Sequence, residues 1–204
     1  LGALQYRDLG RYIRDTVTFP STMVDRIVPT TTGHDRNRVV LALCLSDNWP
    51  AMTEAFTQWV VEDHFPAGRP DWAATFVTDV GPFETMKLRL LNGSHSALAY
   101  LGYLGGHETI GDCAADPTYR RFVEALWREE IIPVTPVPPG TDLASYAASL
   151  LARYDNPAIR HRTWQIAMDG SQKLPQRLLG TIDERLRAGL PIDGLALGVA
   201  AWMR

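Results

Sequence analysis

The sequence predicts a mainly α-helical domain with a small β element near its start, and three observations predict it. From Pro82 onward apolar residues recur at helical spacing to the end of the chain, broken only by short Gly-, Pro- and Asp-bearing turns. Before Pro82 the extended-looking stretches are few and short. The 204 residues are 46% hydrophobic and 21% charged, enough to bury one large core or two small ones.

The elements follow in order. Leu4, Leu9, Tyr12, Ile13 and Val17 have roughly helical spacing, so Leu4–Val17 reads as a helix that Phe19-Pro20-Ser21 ends. Thr30–Gly33 reads as loop. Arg38–Leu45 and Thr57–Glu62 are short and β-branched or mixed, which suits strands. Ala74–Val77, closed by Gly81-Pro82, suits one better. Pro82–Leu104 reads as one long helix, with proline and Glu84 in its first turn and Gly105-Gly106 at its end. Asp116–Glu130 is the next helix, and the proline-rich Ile131–Gly140 a rigid connector. Asp142–Tyr154 follows with Asp142 as its cap. Asn156-Pro157 opens a helix to about Met168, and Asp169-Gly170-Ser171 turns the chain. Leu174–Ala188 and Leu195–Met203 complete the set.

Several function classes are excluded on composition. A net charge of −3 with no long run of one sign is no footprint for nucleic acid. No apolar stretch approaches the roughly 20 residues of a membrane span, and no signal peptide opens the chain. Two cysteines, Cys44 and Cys113, suit a reducing cytoplasm, and five scattered histidines give no metal-ligand spacing, so no metal is expected. A start at Leu1 and an end inside a helical run at Arg204 read as a fragment of a longer protein.

The densest chemistry lies on the long helix, in Glu84–His95. At about 100° per residue, with Lys87 at 0°, Glu84 falls near 60°, His95 near 80° and Asn92 near 140°, and Lys87 and His95 are about 12 Å apart along the axis. Removing hydride from a secondary alcohol needs a base for the hydroxyl proton, which a lysine of lowered pKa supplies. It also needs a preorganised donor for the developing alkoxide, which an asparagine amide supplies. A histidine donates to the same or a neighbouring hydroxyl, and a glutamate passes the proton to water. Spacing alone also suits a solvated face, a helix break and a packed histidine. A second dense stretch, His161–Arg177, mixes amides and cations around a tight turn; it suits a sugar-acid site or a capped inter-helix turn. A third, Phe19–Pro29, carries Asp25-Arg26 inside an apolar loop and reads as an internal ion pair.

Together these segments resemble the mannitol dehydrogenase family of polyol-specific long-chain dehydrogenases. Lys87-x4-Asn92-x2-His95 is similar to the family's K-x4-N-x2-H motif, and Phe19–Pro29 to its F-P-x-S/T-M-V-D-R-I-x-P segment. Gln58–Asp63 with Gly68-Arg69-Pro70, Asp142-Leu143 and Arg153–Pro157 match further stretches, so the likeness covers nearly the whole chain. The resemblance implies Lys87 as general base in oxidation and acid in reduction, Asn92 as half of an oxyanion hole, His95 as a hydrogen-bond partner of the reacting oxygen or its neighbour, and Glu84 as the proton gate. It implies Lys173 on distal substrate hydroxyls, with Gln165 and Arg177 beside it, and Asp25 near the nicotinamide end of the cleft. Gln165 stands where mannitol dehydrogenases carry arginine, and the run from Gln165 to Arg177 looks closer to fructuronate reductases.

The same resemblance implies a multi-helical C-terminal domain of the 6-phosphogluconate-dehydrogenase-like type spanning residues 1–204 and truncated at both ends. The implied substrate is a polyol or sugar acid, D-mannonate/D-fructuronate first and D-mannitol/D-fructose second. NAD or NADP is bound mainly by a Rossmann domain absent from this chain: the glycines at 102, 105 and 106 have the wrong spacing for a dinucleotide turn. The expected partners are that domain and the small substrate, and the fragment alone is expected to be inactive. The rival reading is a non-catalytic helical module that retains the motif.

Overall fold

The computed structural model describes residues 7–204, so Leu4 of the first predicted helix lies outside the described residues. Helix α1 (Arg7–Thr16) is followed by strand β1 (Thr22–Asp25) and helix α2 (Gly33–Leu43). Strands β2 (Gln58–Glu62) and β3 (Thr75–Val77) complete a three-stranded sheet in the order β1-β2-β3, antiparallel between the first pair and parallel between the second. Two expectations change here. Arg38–Leu45 lies mostly in α2: Thr32 and Asp35 form a reciprocal cap that starts a helix ahead of Val39 and Val40, and local capping outweighs β-branched propensity. β1 falls in a stretch read as loop. Four residues between prolines are too few for alternation to show, yet Met23 and Asp25 are buried while Thr22 and Val24 are not.

The long helix is present with an altered middle. Helix α3 (Gly81–Met86) continues through a π-helical segment, Lys87–Gly93, into α4 (Ser94–Leu104). Hydrogen bonds that skip five residues leave carbonyls in need of other donors. Side chains supply them: Trp127 Nε1 donates to the Leu90 carbonyl at 2.9 Å, and the Tyr154 hydroxyl donates to Leu91 at 3.1 Å. Ser94–Tyr100 are all buried, which makes α4 the central post of the helical layer.

Around it stand α5 (Ile110–Ala115), α6 (Pro117–Ala125) with a π segment Leu126–Ile131, α7 (Leu143–Tyr154), α8 (Thr163–Ala167) and α9 (Gly170–Leu174). A further π segment, Pro175–Leu179, leads into α10 (Gly180–Arg187), and α11 (Asp193–Met203) packs against α4. Asp142 caps α7 as expected, accepting from Ser145 N at 2.7 Å. The helix expected over 156–168 shrinks to α8. The Asn156 side chain accepts from Ala158 N and its carbonyl from Ile159 N, so Asn156-Pro157 starts a turn, not a helix. Pro175 keeps helical angles, φ −52° and ψ −50°, so the helix read over 174–188 is present, joined without a break to α9 and π-helical over its first turn. One apolar core runs from Met23 and Val60 in the sheet through Met86, Leu90 and Leu98 to Leu150, Leu178 and Leu195.

Candidate functional site

The π segment builds the site. In an α-helix Asn92 stands well round from Lys87. Here hydrogen bonding reaches five residues along, so residue 92 lies about one turn above residue 87. Lys87, Asn92 and His95 line one pocket of about 280 Å³ together with Gln165, Lys173 and Arg177. Six of the eight residues expected at the site therefore meet in one cavity. Gly93 lets the opposite wall close in: a Cβ there would lie 2.6 Å from the carbonyl oxygen of Arg177.

Lys87 is half-buried and donates from Nζ to the Val24 carbonyl at 2.6 Å. Its pKa falls below the ordinary 10.5 because burial penalises the ammonium, with Asp25 opposing and Arg153 and Arg177 reinforcing. His95 is 7% exposed, stacked on Tyr154 with ring centroids 5.4 Å apart. Burial, then the His161 ring and the Arg177 charge, holds its pKa well below the imidazole value. It therefore sits neutral, able to donate from one nitrogen and accept at the other. The Asn92 amide makes no hydrogen bond among the described residues, so it is available to a ligand. Glu84 stands one turn before Lys87, exposed and outside the pocket wall.

Lys173 donates to the carbonyls of Ile166 at 3.3 Å and Met168 at 2.5 Å, across the turn where Asp169 takes φ 57°. Burial lowers its pKa and the Arg177 charge adds to this. Arg177 donates to Ser96 Oγ at 3.0 Å, and its buried Nε has no partner among the described residues. Gln165 hydrogen-bonds the Thr30 hydroxyl at the mouth.

Asp25 is different. It is fully buried, does not line the pocket, and pairs with Arg153 rather than its neighbour Arg26. The internal pair read from Asp25-Arg26 is thus replaced by a long-range one. Arg26 instead donates to the Glu54 carbonyl at 3.1 Å and lines the pocket. His161 also lines it, edge-on to His95 at 4.9 Å. Sequence reasoning gave neither Arg26 nor His161 a part in binding; His161 opens the polar 161–177 run, which was the one available signal.

A larger groove of about 510 Å³ lies between α6 and α7, walled by Trp127, Leu151 and alanines, with Glu124, Arg128 and the Arg120–Asp155 ion pair also in its lining. The smaller pocket is the better site on its chemistry. Among the described residues no group of three or more His, Cys, Asp or Glu side chains is placed to hold a metal ion, and no helix is long and apolar enough to cross a membrane.

Comparison with known proteins follows the same lines. The family profile "Mannitol dehydrogenase C-terminal domain" matches residues 79–204, and "Mannitol dehydrogenase Rossmann domain" matches residues 3–74. The chain is 55% identical over its whole length to D-mannonate oxidoreductase of Escherichia coli, of which it covers 43%. It is 39% identical to mannitol 2-dehydrogenase of Phaeosphaeria nodorum, covering 98% of this chain and 36% of that one. The chain thus spans less than half the length of these curated relatives. The solved ternary complex of Pseudomonas fluorescens mannitol 2-dehydrogenase with NAD and D-mannitol superposes with a TM-score of 0.87 at 38% identity, over 98% of this chain and 41% of that one.

Proposed function

Because this chain belongs to the mannitol dehydrogenase family, we propose that it forms the substrate side of an oxidoreductase that interconverts D-mannonate and D-fructuronate with a nicotinamide nucleotide. One observation carries the choice of a sugar acid. Arg26, Lys87, Lys173 and Arg177 line the pocket and, among the described residues, no carboxylate does. Four cations gathered on one wall, with Lys87, Lys173 and Arg177 partly withdrawn from water, favour an anionic ligand, and a guanidinium matches a carboxylate in geometry. The similarity to D-mannonate oxidoreductase supports the same choice.

The pocket suits a six-carbon substrate; about 280 Å³ is just below the roughly 300–1,000 Å³ of sites for larger, drug-sized ligands. It does not fit a whole dinucleotide, and no glycine-rich turn opens a helix beside it. NAD or NADP is therefore assigned to the nucleotide-binding part of a full-length enzyme, where it supplies or takes the hydride. Residues 1–204 act as one substrate-side unit in this reading, although 3–74 match the Rossmann profile. The support is the bonding of Asp25 and Glu54 to Arg153 on α7. Two unpaired cysteines, Cys44 and Cys113, suit a cytoplasmic enzyme.

In oxidation neutral Lys87 takes the substrate hydroxyl proton as the carbon loses hydride, and the carbonyl forms. In reduction the Lys87 ammonium returns that proton to the oxygen. The Asn92 amide donates to the oxygen while it carries charge. His95, held neutral, donates to the reacting oxygen or its neighbour. Glu84 exchanges the proton with water. Lys173, Gln165 and Arg177 hold the distal hydroxyls and the carboxylate.

The test is NADH consumption by the full-length enzyme, with D-fructuronate and D-fructose side by side. Faster turnover of D-fructuronate is expected. The second reading, D-mannitol with D-fructose, is favoured by neutral Gln165 and by Lys173 being engaged with two backbone carbonyls; faster turnover of D-fructose would put it first. Lys87→Ala should lower kcat by about 10²–10⁴-fold, whereas a non-catalytic module loses nothing.

A further inference from the structure

An aspartate on the buried side of a strand is costly unless its oxygens find partners. Asp25 finds three donors. Arg153 reaches Oδ1 at 2.7 Å and Oδ2 at 3.0 Å, and the Tyr146 hydroxyl donates to Oδ2 at 2.6 Å. The same guanidinium holds Glu54 at 2.7 and 3.0 Å and lies 4.2 Å over the Phe56 ring. Glu54 in turn accepts from Ile27 N at 2.6 Å. The segment from Asp25 to Ile27 is thereby pinned at both ends, and the Val24 carbonyl beside it holds Lys87.

Stability alone is a weak reason for such a cluster. A buried ion pair is often no better than an apolar replacement of the same volume. What the cluster does is put two carboxylates and one arginine behind a pocket wall that is otherwise cationic. We propose that Asp25 is a positioning residue for Lys87: clamped by Arg153 and Tyr146 behind the pocket, its carboxylate fixes where the Lys87 ammonium sits and the charge it faces. The proposal rests on the reading of Lys87 as the proton carrier.

The charged groups acting on Lys87 are Asp25 from β1, Arg153 from α7, Arg177 from the 175–179 segment and Glu84 from α3. Arg26, Lys173 and the imidazoles of His95 and His161 complete the pocket wall. Burial favours the neutral amine, and Asp25 is the largest charge opposing it. Loss of that one charge should let the amine lose its proton at lower pH.

In the full-length enzyme, Asp25→Asn removes the charge at nearly constant shape. The acid limb of the oxidation profile and the alkaline limb of the reduction profile should both move down by about one pH unit. Glu54→Gln takes an equal charge from the same arginine, but Glu54 is not among the groups acting on Lys87; it should leave both limbs in place. A folded Asp25→Asn enzyme with wild-type limbs, or a Glu54→Gln enzyme shifted as far, overturns the proposal. Should Asp25→Asn not fold, Tyr146→Phe decides: it strips a donor from Asp25, so the limbs should move up by a smaller amount, and unmoved or lowered limbs overturn the proposal. A Lys87→Ala enzyme turning over at the wild-type rate sinks the underlying reading of Lys87 instead, whatever the other variants do.

Discussion

Lys87 and Arg153 are both partly or wholly withdrawn from water, yet they answer to different surroundings. Among the described residues Lys87 has one carbonyl partner and no salt bridge, so burial dominates and the amine loses its proton below 10.5. Oxidation should therefore rise with pH along a limb centred below that value, and the alkaline limb of reduction should fall in the same window; steady-state rates across pH measure both. Arg153 is the reverse case. Burial opposes its charge, but its bonds to Asp25 and Glu54 outweigh that and raise its pKa. Arg153→Met leaves two buried carboxylates unpaired and should cost about 3–5 kcal/mol of stability, read from the urea midpoint. The contrast marks what was legible beforehand. Lys87, Asn92 and His95 stood out because one helix spaces them within nine residues. The partner of Asp25 lies 128 residues away, and nothing local in the sequence joins the two.

At the scale of elements, the longer helices with a buried face were legible, whereas the six-residue α5 was not, although Thr109 and Asp112 cap it and it buries Ile110, Cys113 and Ala114. Asp142 located the start of α7; Asp142→Ala should lower stability by about 1 kcal/mol in thermal or chemical unfolding. Elements that bury little misled. Helix α2 has no buried residue, so its apolar pattern carried no signal of packing and its β-branched pair suggested a strand. The π segment Lys87–Gly93 was not legible either, because its register depends on donors from Trp127 and Tyr154 on other elements. Its tightest point is Gly93. Gly93→Ala sets a methyl group against the Arg177 backbone, with an expected loss of about 1–3 kcal/mol. If the proposed sugar acid is the substrate, displacement of Arg177 should also raise KM for D-fructuronate more than it lowers kcat, which steady-state kinetics resolve.

Across the whole molecule, large apolar side chains stand in water on the 19–49 stretch: Trp49 is 90% exposed, Leu41 80% and Phe19 75%. Apolar surface of this kind drives association, so the 204-residue chain on its own should scatter light as more than a monomer, increasingly at high concentration; a monomer at every concentration would count against it. The helical layer was readable from periodicity. The way the early segment is fastened to it was not, because that fastening is made of long-range ion pairs. The fastening bears on how the molecule responds to a cut. The loop at 66–69 is exposed and lies between β2 and β3. A protease nick there severs the chain but leaves the β2–β3 pairing, the β1–β2 pairing and the Asp25–Arg153–Glu54 cluster intact. The two pieces should remain together through gel filtration and separate only in denaturant, which makes this loop a natural place to divide the protein into complementing halves.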